Sequence, residues 1–428
     1  NVFANSTVLN NNGTTNSSEL ILASGKNITS TITTADNGKG ILTLAGGTQT
    51  VTGQVGTNAN KLAEINSGAN GATLTFVNDV YANTVENTGT GATTFQDNVV
   101  ATNVNVNAGT STFQDNLTAT TTTITTGTGN FNTVSGTTTS NLQFTDNGTA
   151  NLNNGLTGNV TTTADNKGTL NLVGSNNQTV TGTVGASGAS LAEVNAGANG
   201  STSTFANDVY ATNTNIGSGR VDFNTVSGIT NTNIIFTDNG TANLLNGLTG
   251  NIDFAGKDAT VNVSDGKGIL GSVQTLASNN TGIINYQGDG TISGNIGSSS
   301  HGIKELNINT ANQQNSGGPG LVIGYTALAR ELYADVVNLR NNATLTLKDN
   351  VNLINTGSDN ILITVDNTDT GTLTFEGTSN ITGEVGQSNK VLNTINAGAT
   401  GGTVTFNDMV YATTLKYSDD GKVVLNGD

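Results

Sequence analysis

The chain offers few groups able to do chemistry. Its one histidine, His301, lies in "GSSSHGIKEL" beside Ser298, Ser299 and Ser300. A nucleophilic triad needs serine, histidine and carboxylate converging in space, and neighbours on a single turn do not converge, so His301 reads as a turn residue. No G-x-S-x-G elbow, phosphate-binding G-x-x-x-x-G-K-[ST] loop or H-E-x-x-H pair is present. The absence of cysteine removes disulfides, thiolate nucleophiles and zinc-thiolate sites together. Only 14 basic residues are spread over the chain, and the nearest approach to a cluster is Arg330, Arg340 and Lys348. With Asp335 and Asp349 these would serve the weaker alternative, a β-helical enzyme cleaving acidic polysaccharide. Asp97 and Asp115 each follow a phenylalanine by two residues and lie 18 apart. If 18 residues make one turn they stack as like charges, to be solvated or bridged by a cation such as calcium. Solvated turn aspartates are the simpler reading. No catalytic, cofactor-binding or metal residue is assigned.

The elements that must carry these residues are written in the composition. Of 428 residues 34% are hydrophobic and 10% charged, leaving a chain dominated by Asn, Thr, Gly and Ser with one proline, Pro319. Disordered chains of low hydrophobicity usually also carry high charge and abundant proline. Here Val, Ile, Leu and Phe recur regularly among β-favouring Thr, while Asn and Gly supply turns. The net charge of −16 argues against phosphate-backbone binding, so nucleic acid is not an expected partner. No apolar run approaches the roughly 20 residues of a membrane-spanning helix. The opening "NVFANSTVLN" has no basic segment followed by an apolar one, so a chain without its own export leader is expected.

Three long blocks repeat. Aligned on Gly53, Gly182 and Gly383, they keep step without a gap. The phase runs through Gly56, Gly185 and Gly386, then Leu62, Leu191 and Leu392, then Phe76, Phe205 and Phe406, to Tyr81, Tyr210 and Tyr411. A degenerate fourth copy starts at Gly294, with Ile303 and Leu306 in matching places. A shorter period lies inside: Phe76, Phe95, Phe113 and Phe131 are spaced by 19, 18 and 18 residues. The runs "FTDNGTANLNNGLTGNV" and "FTDNGTANLLNGLTGNI" are nearly identical. A unit this short cannot bury a core alone and must stack on its neighbours.

Within a unit the apolar pattern has period two, as in Leu42 and Leu44 or Val104 and Val106, which points alternate side chains inward. Short alternating strands with Gly/Asn corners and a period near 18 to 20 residues predict a right-handed parallel β-helix, an elongated β-solenoid rod. About 22 turns at roughly 4.8 Å each would span about 100 Å, with Thr and Asn in outward ladders. The phenylalanines read as core stacking. The repeated tyrosines read first as amphipathic core-edge residues and second as binding anchors. Solenoid repeats are expected over 1–311 and 351–428. Residues 312–350 break the pattern and read as an irregular insertion or junction. There Thr326 to Leu339 reads two ways: Leu328, Leu332, Val336 and Leu339 approximate a helical stripe, yet "LYADVVNL" echoes the "VYATT" strands.

The blocks "TVTGTVG", "LAEVNAG", "FANDVYAT" and "GTANLNNGLTGNV" on this Asn/Thr/Gly background resemble the passenger regions of the rickettsial surface cell antigens, autotransporters of the outer membrane protein A and B type. The match is carried by 40–84, 168–214 and 371–415, and is extended near 288–309. The resemblance implies an exported protein held at the outer surface by a C-terminal β-barrel that this chain lacks, acting in adherence to and entry into host cells. It assigns no catalytic residues to the repeats. The expected function is therefore a non-enzymatic adhesin scaffold at the bacterial surface, contacting host-cell protein without a cofactor. Tyr81, Tyr210, Tyr411, Tyr325, Arg330 and Tyr333 are the candidate contact residues. A passive coat or spacer is the alternative from another class.

Overall fold

The computed structural model describes residues 1–9, 18–224, 226–311, 320–324 and 330–427. The chain divides into two compact units, Asn1–Thr212 and Asn213–Asp428. Each is a parallel β-solenoid, and the expected fold class is the one observed. Among the described residues the one helical element is the 3-10 turn Ala198–Gly200, and no helix is long and apolar enough to cross a membrane.

In the first unit, one wall stacks Glu19–Leu22, Lys39–Leu44, Leu62–Ser67, Val80–Asn87, Val99–Val106, Leu117–Ile124, Thr138–Phe144 and Val160–Thr162, each parallel to the next. A second wall runs through Thr48–Val51, Thr73–Phe76, Ala92–Phe95, Thr110–Phe113, Thr128–Phe131, Thr149–Leu152, Lys167–Leu172 and Leu191–Ala196. Eight-residue strands such as Val80–Asn87 turn a corner midway: their inside–outside alternation slips at two successive half-buried residues, Asn83 and Thr84, and then resumes. Phe76, Phe95, Phe113 and Phe131 occupy one register column. Their rings stack at 5.0, 5.1 and 5.4 Å with interplanar angles of 11°, 6° and 4°. That spacing exceeds the roughly 4.8 Å between strands only slightly, so the strand repeat itself brings the rings into contact, and each is at most 1% exposed. Leu152 and Leu172 continue the column.

In the second unit the inward column runs Phe223, Leu244, Val263, Tyr286, Ile308, Leu339 and Val365. Tyr286 stands where its neighbours are purely apolar. Its ring is wholly buried, its hydroxyl donates to the Thr291 carbonyl at 2.9 Å, and burial pushes its phenol far up. Gly290 makes room for the ring, since a Cβ there would lie 2.4 Å from Tyr286 Cε1.

The helical reading of Thr326 to Leu339 does not hold over its described part, because Arg330–Leu339 is a ten-residue strand. It pairs on one side with Ile303–Ile308 and on the other with Val351–Asn355 and Ile361–Val365. Its inward residues are Leu332, Ala334, Val337 and Leu339, spaced two, three and two apart. The corner supplies the extra residue, so a bent strand imitates a helical period. Thr344–Leu347 likewise stacks in register on Leu321–Ile323.

The outward ladders are present in both units. In the first, Asn151, Asn171 and Asn195 each donate Nδ2 to the Oδ1 of the asparagine one turn back, at 2.7 Å, starting from Asn130. In the second, Asn243 donates to Asp222 at 2.5 Å, and Asn262, Asn285, Asn307 and Asn338 continue at 2.7, 2.9, 2.9 and 2.6 Å. Each amide satisfies the next, so a wall with little charge holds its half-buried polar groups without penalty.

Candidate contact surface

The bland repeats build one corner four times. At Gly56, Gly185, Gly297 and Gly386 the backbone adopts φ of 67°, 66°, 67° and 75°, a left-handed conformation natural to glycine. One turn later a tyrosine crosses that glycine: Tyr81, Tyr210, Tyr333 and Tyr411 donate their backbone N–H to Val55, Val184, Ile296 and Val385 at 2.7, 2.7, 2.7 and 2.8 Å. A Cβ on Gly56 or Gly185 would lie 2.2 Å from the tyrosine carbonyl oxygen above it, so these corners require glycine for space as well as for φ. Tyr333 thus completes the degenerate fourth copy that begins at Gly294. Sequence alignment missed it because a longer stretch of chain separates Gly297 from its tyrosine.

Directly after each corner glycine the chain reverses in a tight four-residue turn. Antiparallel bridges close 186–189, 298–301 and 387–390, and in the first copy Thr57 N–H donates to Asn60 O at 3.0 Å while Asn60 N–H returns to Thr57 Oγ1 at 2.9 Å. The two central residues are exposed in every copy: Asn58 and Ala59, Ser187 and Gly188, Ser299 and Ser300, Ser388 and Asn389. The stems repeat and the tips differ.

This geometry places the candidate residues. Tyr81, Tyr210 and Tyr411 are half-buried. The Tyr81 hydroxyl donates to Asp79 Oδ2 at 3.2 Å, and that of Tyr411 contacts Met409 Sδ at 3.2 Å. Tyr333 is only 9% exposed and donates to Glu331 Oε2 at 3.0 Å. Burial first, then the adjacent carboxylate, holds the phenols of Tyr81 and Tyr333 above their ordinary range. The tyrosines are corner residues with an exposed edge. Arg330 is half-buried, its Nε donating to the Ser293 carbonyl at 2.8 Å. Tyr325 lies outside the described residues. The structure brings each tyrosine of the four corners beside a projecting turn, which was not foreseen, although the fixed interval from corner glycine to the next apolar residue was its signal.

His301 closes one of these turns, with Ser300 Oγ 2.9 Å from its Nδ1. The other copies place Asn60, Ala189 and Lys390 in that position, so the fold there needs a turn residue and no particular chemistry. Asp97 and Asp115 lie one turn apart, each two residues past a phenylalanine of the register column; Asn98 Nδ2 bridges Asp79 Oδ1 and Asp97 Oδ1 at 2.9 Å each, and Asn116 donates to Asn98 Oδ1 at 2.8 Å. Among the described residues no group of three or more His, Cys, Asp or Glu is arranged to hold a metal.

Clefts open in the second unit, among them one of about 300 Å³ lined by Asp408, Met409, Val410 and Tyr411. Another of about 420 Å³ is lined by Gly247, Gly268, Lys267, Ile229 and Leu270, among others. A further cleft of about 320 Å³ runs beside the ladder, past Arg220, Asn243, Asn262 and Gln287. A smaller one, about 200 Å³, contains Asp253, whose Oδ1 accepts the N–H groups of Ala255 and Leu276. Glycoside hydrolysis uses two carboxylates flanking one bond; Asp253 and Asp408 lie in separate clefts. Asp335 and Asp349 are not brought together: Asp335 follows Ala334, paired with Asn355, whereas Asp349 precedes Val351, paired with Arg330 at the other end of the strand.

No protein-family model, curated protein or solved structure matches this chain.

Proposed function

We propose that this chain is a non-enzymatic adhesin scaffold, displayed by an exported bacterial surface protein of the autotransporter type and contacting host-cell surface protein. The observation that carries the reading is the fourfold corner, in which one stem presents four different exposed tips. Glycine, tyrosine and backbone hydrogen bonds specify the stem, so the tips are free to vary without cost to the core. Several weak contacts on one scaffold raise avidity without a deep pocket. The half-buried tyrosines beside the turns offer rigid amphipathic edges suited to a protein partner. The resemblance to rickettsial surface antigens supports the same reading and the surface location.

The self-satisfied asparagine ladders favour a second reading. A wall whose amides bond one another presents little to a partner, as a spacer or coat would. Beads carrying the purified chain, offered to mammalian cells against a scaffold of matched charge, separate the two. Saturable binding competed by soluble chain is expected. A variant carrying the Ser-Gly pair of the second copy at 58–59, 299–300 and 388–389 is expected to lose most of it. Wild-type binding no better than the control would refute the adhesin reading in favour of the spacer.

A further inference from the structure

The near-identical runs 144–160 and 236–252 each contain two Asn-Gly steps: Asn147–Gly148 and Asn154–Gly155 in the first, Asn239–Gly240 and Asn246–Gly247 in the second. Sequence gives the paired steps the same reactivity. Their surroundings differ. Asn239 is tied at its carboxamide, whose Oδ1 accepts the Asp258 N–H at 3.0 Å, and the Gly240 N–H is engaged by the Asp238 carbonyl at 2.8 Å; its backbone N–H donates to the Asp238 carboxylate as that of Asn147 does to Asp146, so that contact does not separate the two. Among the described residues the exposed carboxamide of Asn147 and the N–H of Gly148 have no partner. The next turn makes the difference. In the second unit Asp258, two residues before the Thr260 that pairs with Thr241, reaches Asn239; in the first its counterpart is Lys167, two before the Thr169 that pairs with Thr149, whose Nζ goes to Asp146 Oδ1 at 2.8 Å.

The other pair is reversed. Asn154 donates Nδ2 to the Gly136 carbonyl at 3.2 Å, while the exposed carboxamide of Asn246 and the Gly247 N–H are without partners among the described residues.

We propose that Asn147 and Asn246 are sites of spontaneous modification, each attacked by the following glycine nitrogen, while Asn239 and Asn154 are held. The Gly148 nitrogen adds to Cγ of Asn147, the new C–N bond forms as the Cγ–Nδ2 bond breaks, and ammonia leaves with the glycine proton. Water then opens the cyclic imide at either carbonyl, giving aspartate or isoaspartate. No electron transfer is involved, and water is the one co-reactant. Glycine favours the step because no side chain shields its nitrogen. Each event replaces a neutral amide with a negative charge. The isoaspartate product also inserts a backbone methylene directly before Thr149–Leu152, a strand held in register on both sides.

The test uses the full folded chain, incubated at mildly alkaline pH and sampled over time by peptide mapping with isoaspartate-specific methylation. Asn147 is expected to convert tenfold or more faster than Asn239, the factor matching about 1.4 kcal/mol of hydrogen bonding that must first open. Asn246 is expected to outpace Asn154. In denaturant the members of each pair should converge. Equal rates within both pairs in the folded chain, or the reverse order in either, would overturn the proposal.

Discussion

Removing one ring from the phenylalanine column tests whether the core is a stack of coupled turns. Phe95 lies between Phe76 at 5.0 Å and Phe113 at 5.1 Å and is 1% exposed. Phe95→Ala deletes a buried ring and both stacking contacts, and the walls cannot collapse into the gap because strand pairing fixes the turns. A cost of about 4 kcal/mol follows. In a solenoid each turn contacts only its neighbours, so the loss should be local. Amide exchange is the suitable assay, since a single unfolding free energy is ill-defined for a long repeat array. Protection in Thr73–Phe76, Ala92–Phe95 and Thr110–Phe113 should fall by about a thousandfold, while Leu191–Ala196 should change little. Phe95→Leu, which keeps most of the volume, should cost under about 1.5 kcal/mol. A fall below tenfold at 92–95, or an equal loss at 191–196, would refute the reasoning.

Two glycines with similar φ separate conformation from space. Gly188 (φ 77°) has nothing within 4 Å of a built Cβ, whereas at Gly185 (φ 66°) that atom would lie 2.2 Å from the Tyr210 carbonyl. Gly188→Ala should therefore cost about 1 kcal/mol from the left-handed backbone alone, and Gly185→Ala several-fold more, read by amide exchange at the Tyr210 N–H that crosses the corner; equal costs would remove the corner's claim to glycine. Burial first, then Asp359 and Glu305, raises the Asp335 carboxyl, against a smaller opposing effect of Lys304. A carboxyl whose folded pKa lies above its unfolded value of about 3.9 weighs little on stability below that value and costs more as pH rises through the folded pKa. Asp335→Asn should thus stabilise the chain at neutral pH relative to wild type and lose that advantage near pH ~4. Destabilisation at neutral pH would contradict it.

Much of this was legible because solenoid physics is short in range. An 18-residue interval between phenylalanines is one turn of chain, so Phe95, Phe113 and Phe131 stack by sequence arithmetic alone. The period-two runs likewise announce strands, and the outward Asn and Thr announce ladders. The stretch around Leu332 was harder. A corner within a strand shifts the phase by one, and Leu332, Ala334, Val337 and Leu339 then mimic a helical stripe. Only pairing with the strands on both sides decides against a helix.

The projecting turns show where sequence reading stops. That a glycine recurs at 56, 185 and 386 was plain, with a fourth copy starting at Gly294. That each bears the tyrosine of the following turn, and that the chain between reverses on itself, depends on which segments lie one turn apart. In the fourth copy that distance along the chain is longer than in the others. The same holds for the aspartates: sequence counts one turn between Asp97 and Asp115, but not that Asn98 bridges Asp79 and Asp97. Sequence alone determined the element type, the period and the inward faces, because these follow from local alternation and the length of one turn. Tertiary structure decided which polar groups meet, because a hydrogen bond reads distance in space, and turns of unequal length bring different residues of identical repeats together.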